Sequence, residues 1–225
     1  MSEDGARPSR WPGFFVSFEG VDGAGKSTQV SALAIALRAE GHDVVTVREP
    51  GDTVLGELTR AVVLQHPLET PLDPWAEALL FIAARAQLLR EIVLPALDRG
   101  AVVLADRYAD STLAYQGGGR GLNIDALRRL HREACGDVWP DLTVLLDLAP
   151  DTAESRRRAA ELPLDRMEHS PENFHAAVHA CFRSLADAEP DRFVTVDAGP
   201  PAVPVSQRVW EVVTTRLGEA DELVR

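Results

Sequence analysis

Apolar residues along this chain fall into short unbroken runs separated by longer stretches of helical period. Phe14–Phe18 (FFVSF), Val44–Val47, Ala101–Ala105 (AVVLA), Leu142–Leu148 (LTVLLDL) and Phe193–Val196 are continuous rather than alternating. That is the pattern of strands buried on both faces of a parallel sheet. Helices are predicted after Gly25, Thr53, Asp73, Asn123, Ser170 and Pro204, the first (TQVSALAIALRAEG) closed by Gly41. Asp73-Pro74 is a start signal, with Asp as N-cap and Pro in the first turn. That helix should run to about Asp98, with Pro95 kinking its last turn and Arg99-Gly100 ending it. Five strands alternating with helices imply right-handed βαβ crossovers, hence an α/β fold with a doubly wound, five-stranded parallel sheet flanked by helices. Pro200-Pro201 reads as a turn before the last helix, and there is no internal repeat. Residues 13–218 therefore form a single domain, with 1–12 a disordered tail and 219–225 (EADELVR) a fraying acidic end.

Charge narrows the function. The 225 residues carry Lys+Arg 23 against Asp+Glu 35, a formal net charge of −12. Phosphate backbones demand a basic face, so a general nucleic-acid binder is excluded. No stretch approaches the ~18–20 uncharged apolar residues of a membrane helix. The start, MSEDGARPSRWPG, lacks the apolar core of a signal peptide, so the expected location is cytoplasmic, without a membrane partner. Two cysteines, Cys135 and Cys181, make neither a disulfide framework nor a zinc cluster and read as core fillers. The six histidines (42, 66, 131, 169, 175, 179) are scattered and read as surface residues. The most telling feature is that every basic residue but one is Arg, and the one lysine, Lys26, lies inside a glycine-rich loop.

That loop, Gly20-Val21-Asp22-Gly23-Ala24-Gly25-Lys26-Ser27, fits G-x-x-x-x-G-K-[ST], with a strand before it and a helix opening at Thr28. Glycines let backbone N–H groups converge on phosphate oxygens, and the helix N-terminus adds positive potential. Lys26 would reach the β- and γ-phosphates of a nucleoside triphosphate, and the Ser27 hydroxyl would ligate Mg²⁺. Two strands end in Asp and could support that ion. Asp106 is favoured because Arg107 and Tyr108 follow it at once; Asp147 enters a plain helix start.

A phosphate loop alone leaves the phosphoryl acceptor open. A phosphate monoester has a second pKa of ~6, so a nucleotide acceptor would need no general base. The protein must instead cancel charge and align two anions. Arg48 and Arg107 follow strands two and three at carboxyl ends, where bidentate guanidinium groups can hold an acceptor phosphate. A GTP-reading regulatory switch is excluded, because its N-K-x-D motif needs a second lysine. A kinase for another nucleoside or nucleotide stays open at this level.

Phe18-Glu19-Gly20-Val21-Asp22-Gly23, Arg48-Glu49-Pro50-Gly51, Asp106-Arg107-Tyr108 with Ser111, and Ala114-Tyr115-Gln116-Gly117-Gly118-Gly119-Arg120-Gly121 together resemble the bacterial thymidylate kinases. Asp165-Arg166-Met167-Glu168, after Arg156-Arg157-Arg158, is similar to that family's lid, at about 151–169. The resemblance implies the P-loop NTPase fold with a short helical lid, transfer of the γ-phosphoryl of ATP to dTMP with Mg²⁺, and a homodimer built through helices, the Trp75–Leu94 helix among them. It implies that Arg48 and Arg107 contact the monophosphate, and that Asp22 meets the deoxyribose 3′-hydroxyl or a magnesium-bound water. Glu49, with Pro50, neighbours that site. Phe81 would stack on the base and Arg85 meet a thymine carbonyl, with Ser111, Tyr115 and Gln116 around sugar and base. Ala24 stands where some relatives carry an Arg, so a lid Arg, Arg158 or Arg166, would supply the cation during transfer. Three departures stand out: Asp52 in REPGDT where a second glycine is usual, Ala84 before Arg85, and a lid (RRRAAELPLDRME) without its glycine.

Overall fold

The computed structural model describes residues 11–65, 71–159, 166–167 and 172–224. Its elements run β1 (Phe14–Glu19), α1 (Lys26–Ala39), β2 (Val44–Arg48), α2 (Val54–Arg60), α3 (Pro74–Leu88), α4 (Leu94–Asp98), β3 (Val102–Asp106), α5 (Ala109–Thr112), α6 (Ile124–Cys135), β4 (Leu142–Asp147), α7 (Pro150–Ala159), α8 (Glu172–Ala188), β5 (Phe193–Asp197) and α9 (Ala202–Val224). The strands form one parallel sheet in the order β2-β3-β1-β4-β5. The predicted sheet is thus the observed one.

The central strands supply two cores at once, while the apolar side chains of β4 and β5 join only the first. In β1, Phe14, Val16 and Phe18 enter the core shared with Leu33, Leu37 and Val213, while Phe15 points the other way, onto Ile82, Leu89 and Leu97. β3 splits alike: Val102 and Leu104 on one side, Val103 and Ala105 on the other. A side-chain period of two buries both faces of a sandwiched strand, so its few polar positions must pair inside, as Ser17 and Thr143 do across β1 and β4 at 3.0 Å. The predicted cap is formed, Asp73 Oδ1 accepting from Trp75 N at 2.8 Å, and two further residues cap helices, Thr53 Oγ1 accepting from Gly56 N at 2.9 Å and Asn123 Oδ1 from Ala126 N at 2.8 Å. Each such cap contributes about 1 kcal/mol.

Three local expectations are corrected. Pro95 does not simply kink its helix. It sits in the first turn of α4, behind a π-helical turn at Leu89–Val93. A proline cannot donate to the carbonyl four residues back, and the wider turn accommodates its ring before the helix resumes. A second π-helical stretch, Leu113–Gly119, follows α5 and carries Tyr115 and Gln116. The last helix begins at Ala202, with Pro204 in its first turn, and continues to Val224 through the segment read as a fraying end. His131 is not on the surface. It is 2% exposed, edge-on to Tyr108 and 4.4 Å from the Trp139 ring, and burial with nearby Arg85 pushes its pKa down to about 3. His179 binds Asp147 at 2.7 Å, while His66 and His169 lie outside the described residues. Among the described residues no helix is long and apolar enough to cross a membrane.

Candidate active site

The glycine loop leaves β1 at Gly20 and enters α1 at Lys26. Gly20, Gly23 and Gly25 all have positive φ (133°, 88° and 94°), the left-handed region that favours glycine. Space matters as much at two of them. A Cβ on Gly20 would lie 2.5 Å from the Leu146 carbonyl oxygen, and one on Gly23 would lie 2.6 Å from the Ala153 oxygen and 3.0 Å from Arg157 Cγ. Helix α7, which opens the stretch expected to form the lid, therefore rests directly on the loop. Lys26 is buried, its Nζ donating to the loop's own carbonyls, Gly20 O at 3.1 Å and Val21 O at 2.9 Å. Burial and the neighbouring Arg107 lower its pKa to about 8. Ser27 Oγ donates to Asp106 Oδ2 at 2.5 Å. The other strand-end aspartate, Asp147, binds His179 instead. Val21 and Ala24 are buried beneath the loop, and Thr28 is exposed on α1.

Beside the loop opens a pocket walled by Asp22, Glu49, Pro50, Arg60, Leu64, Phe81, Arg85, Arg107, Tyr108, Ser111, Thr112, Tyr115, Gln116 and Met167. Arg107 is its pivot. It is one of two non-glycine residues with positive φ (73°) among the described residues, the other being Asp52, and that twist swings its side chain back over the ends of the strands. Arg107 Nη1 donates to Gly20 O at 3.1 Å and Ser111 Oγ at 3.0 Å; Nη2 donates to Asp22 and, at 3.0 Å, to the Tyr115 hydroxyl. Tyr115 in turn donates to Asp22 Oδ2 at 2.7 Å. Burial disfavours the Asp22 carboxylate, but Arg107 and Lys26 outweigh it and hold its pKa well below the usual range. Deeper in the pocket, Arg85 Nε donates to Glu49 Oε2 at 2.7 Å, and Arg85 Nη2 donates to Thr112 Oγ1 at 2.8 Å. Burial pushes the Glu49 carboxyl upward against the opposing pull of Arg85.

The family model for thymidylate kinase matches residues 18–209. The thymidylate kinase of Thermomicrobium roseum is 48% identical over 201 residues, 89% of this chain and 94% of that relative; that of Deinococcus radiodurans is 48% identical, covering 91% and 98%. The crystal structure of thymidylate kinase from Ehrlichia chaffeensis superposes with a TM-score of 0.72 at 31% identity, covering 89% of this chain and 98% of that one. This chain belongs to the thymidylate kinase family.

Within this kinase the structure does not bring every expected residue to the pocket. Arg48 is half exposed and turned outward; its Nη2 donates to Glu57 Oε1 at 3.0 Å, and no part of it lines the wall. The reason is local. Asp52, with φ 59°, folds back so that its Oδ2 accepts from Arg48 N at 2.6 Å, and Glu57 then takes both Asp52 N and the Arg48 guanidinium. That loop also answers the departure at Asp52: its carboxylate caps backbone instead of facing an anion, and Asp tolerates the left-handed region. Ala84 is buried within α3. Of the lid candidates, Arg158 is 77% exposed and paired with Glu154 one turn earlier. Arg166 is drawn to the far side of the pocket, where it binds Glu77 and donates from Nε to Val63 O at 2.7 Å. The lid arginine packed on the glycine loop is Arg157.

Two residues of the site were assigned no role in the sequence reading. Arg60 lines the wall and donates to Pro50 O at 2.8 Å. It stands at the end of α2, on a helix face rather than at a strand end, and only the packing of α2 against α3 aims it inward. Glu19 is fully buried and accepts from Tyr108 N at 2.7 Å and Ser111 Oγ at 2.6 Å, so it braces the turn that presents Arg107. Its signal was available: a carboxylate closing a strand with no exposed position.

Proposed function

We propose that the chain transfers the γ-phosphoryl group of ATP to dTMP, giving dTDP and ADP, as a cytoplasmic step in supplying a DNA precursor. The observation that carries this reading is the position of Arg107, whose guanidinium touches the first carbonyl of the phosphate loop and also walls the neighbouring pocket. One cation so placed lies between donor and acceptor anions and offsets their repulsion as they close. Asp22 and Tyr115 hold it there in advance, leaving little reorganisation for binding. The acceptor phosphate is already ionised at neutral pH, so no base is required. On this reading the acceptor's base lies between Phe81, Arg85 and Gln116, and its phosphate reaches Arg107 and Arg60. Tyr115, pinned to Asp22 and Arg107, crowds the position of a 2′-hydroxyl. Arg157, carried by α7 onto the loop, serves the transferring group in place of Arg158 or Arg166. The Ser27 and Asp106 oxygens form a hard-donor pair that fits Mg²⁺, which when bound supplies further neutralisation of phosphate charge.

The test is ADP release with ATP·Mg²⁺ against dTMP, dUMP, dCMP, dGMP, AMP and thymidine. We expect dTMP to give the highest kcat/KM; hydrolysis indifferent to every acceptor would remove the kinase reading.

The assembly follows from a patch that the fold leaves uncovered. Val54 (81% exposed), Leu58 (60%) and Val62 (42%) recur every four residues along α2 and its continuation, and Trp75 and Leu79 do so on the adjoining α3. Contiguous exposed apolar surface of this kind marks an interface, here with a second copy of the chain. Leu58→Arg is expected to convert a dimer to a monomer in sedimentation velocity at micromolar concentration; a wild-type chain that sediments as a monomer would refute the assignment.

A further inference from the structure

Glu77, on α3, is 1% exposed and has no place in the phosphoryl transfer described above. Its Oε1 accepts from Gln116 Nε2 at 2.9 Å and from Arg120 Nε at 3.3 Å, while its Oε2 accepts from Arg166 and, at 3.5 Å, Arg120 Nη2. We propose that Glu77 is a positioning residue for base selection: it fixes which way Gln116 turns its amide, and so selects a pyrimidine that carries a hydrogen on N3. The proposal rests on the reading that the acceptor's base enters the pocket walled by Phe81, Arg85 and Gln116.

The argument is one of donors and acceptors. The two ends of a glutamine amide have nearly the same shape, so an unconstrained Gln116 could offer the pocket either its amino group or its carbonyl oxygen. An ionised carboxylate only accepts, and it therefore takes the amino end. Burial opposes ionisation of Glu77, but hydrogen bonds from Arg166 and Gln116 and the charge of Arg120 prevail, lowering its pKa. The Gln116 carbonyl oxygen is left for the pocket. Thymine N3 bears a hydrogen that such an oxygen accepts, whereas cytosine N3 presents a lone pair against it. Arg85 completes the pattern. It is a donor only, and its Nη1 is buried without a hydrogen-bond partner among the described residues. Donor from Arg85 and acceptor from Gln116 match the adjacent carbonyl and N–H of an imide, and mismatch the amino group and bare nitrogen of cytosine. Sites built on buried hydrogen bonds discriminate strongly, because a wrong ligand leaves both partners unpaired.

The measurement is the ratio of kcat/KM for dTMP over 5-methyl-dCMP, which differ only at positions 3 and 4, with competitive inhibition by 5-methyl-dCMP where turnover is too slow. A ratio does not depend on how much of a variant is correctly folded. In Glu77→Gln the two arginines retain the new side chain's carbonyl, its amino group faces Gln116, and Gln116 must turn over. The ratio is expected to fall on the order of tenfold or more. Glu77→Asp keeps an acceptor-only carboxylate and should keep the preference even if turnover drops; should Glu77→Gln not fold, an aspartate variant whose preference drops as far as that of Gln116→Leu overturns the proposal. A ratio unchanged in Glu77→Gln but lowered in Gln116→Leu overturns it too, while leaving Gln116 as a reader of the base. A ratio unchanged in both removes Gln116 from base recognition, and the placement of the base with it.

Discussion

Replacing Lys26 with alanine should lower kcat by about a thousandfold while changing dTMP affinity by no more than about threefold. Lys26 is the only ammonium group in the chain. Its Nζ sits on Gly20 O and Val21 O, two carbonyls that point into the cradle. When phosphate oxygens enter, the ammonium exchanges carbonyl partners for anionic ones and follows the charge that develops during transfer. Alanine removes that cation and leaves the carbonyls facing an anion. None of the surrounding arginines can substitute, because a planar fork on a longer stem does not fit where a compact point charge was. Since burial and Arg107 set the lysine near 8, the charged form is lost as pH rises through about that value. The wild-type kcat/KM for ATP should therefore fall on the alkaline side, a limb that the alanine variant lacks. Coupled ADP release at saturating dTMP, with dTMP binding followed by calorimetry, separates the two effects. A kcat within tenfold of wild type would remove Lys26 from the transfer step.

Arg107→Ala should reduce kcat/KM for dTMP by about a thousandfold or more, roughly 4 kcal/mol of transition-state stabilisation. Three effects add. The pocket loses the cation that meets the acceptor phosphate, Asp22 loses its guanidinium partner and keeps only Lys26 and the Tyr115 hydroxyl against that phosphate, and Ser111 and Tyr115 lose their shared partner. Arg107→Lys should recover little, since one ammonium cannot hold Gly20, Ser111, Asp22 and Tyr115 together. Adding Asp22→Asn to the alanine variant should restore part of the loss, because it removes the repulsive carboxylate; this coupling separates electrostatics from simple loss of a contact. If the double variant is no better than the single one, Asp22 does not act through charge on the acceptor.

Much of this was legible in the chain before folding. Side-chain period alone distinguished strands buried on two faces from helices, and Asp73 announced its cap through short-range hydrogen bonds that depend on neighbours two or three residues away. The glycine loop, Lys26 and Ser27 were legible for the same reason: a phosphate cradle is a local device, made by consecutive residues. Asp106 was favoured over Asp147 because Arg107 and Tyr108 follow it at a strand's carboxyl end, and in the structure it accepts from Ser27.

Side-chain destination was another matter. Arg48 and Arg107 follow strands in the same way, yet Asp52 and Glu57 draw Arg48 outward while a left-handed backbone and Asp22 draw Arg107 inward. Arg60, Arg157, Arg166 and Glu77 were settled by helices packing across one another, through partners as distant in sequence as Glu77 and Arg166. His131 was buried by the same packing, against Tyr108 and Trp139. The order of residues therefore determined the layers, the donor loop and the family resemblance, because hydrophobic period and consecutive glycines are properties of neighbours. Only the tertiary structure decided which charges line the pocket, because a long guanidinium stem goes wherever a carboxylate waits, and that carboxylate is brought into place by packing.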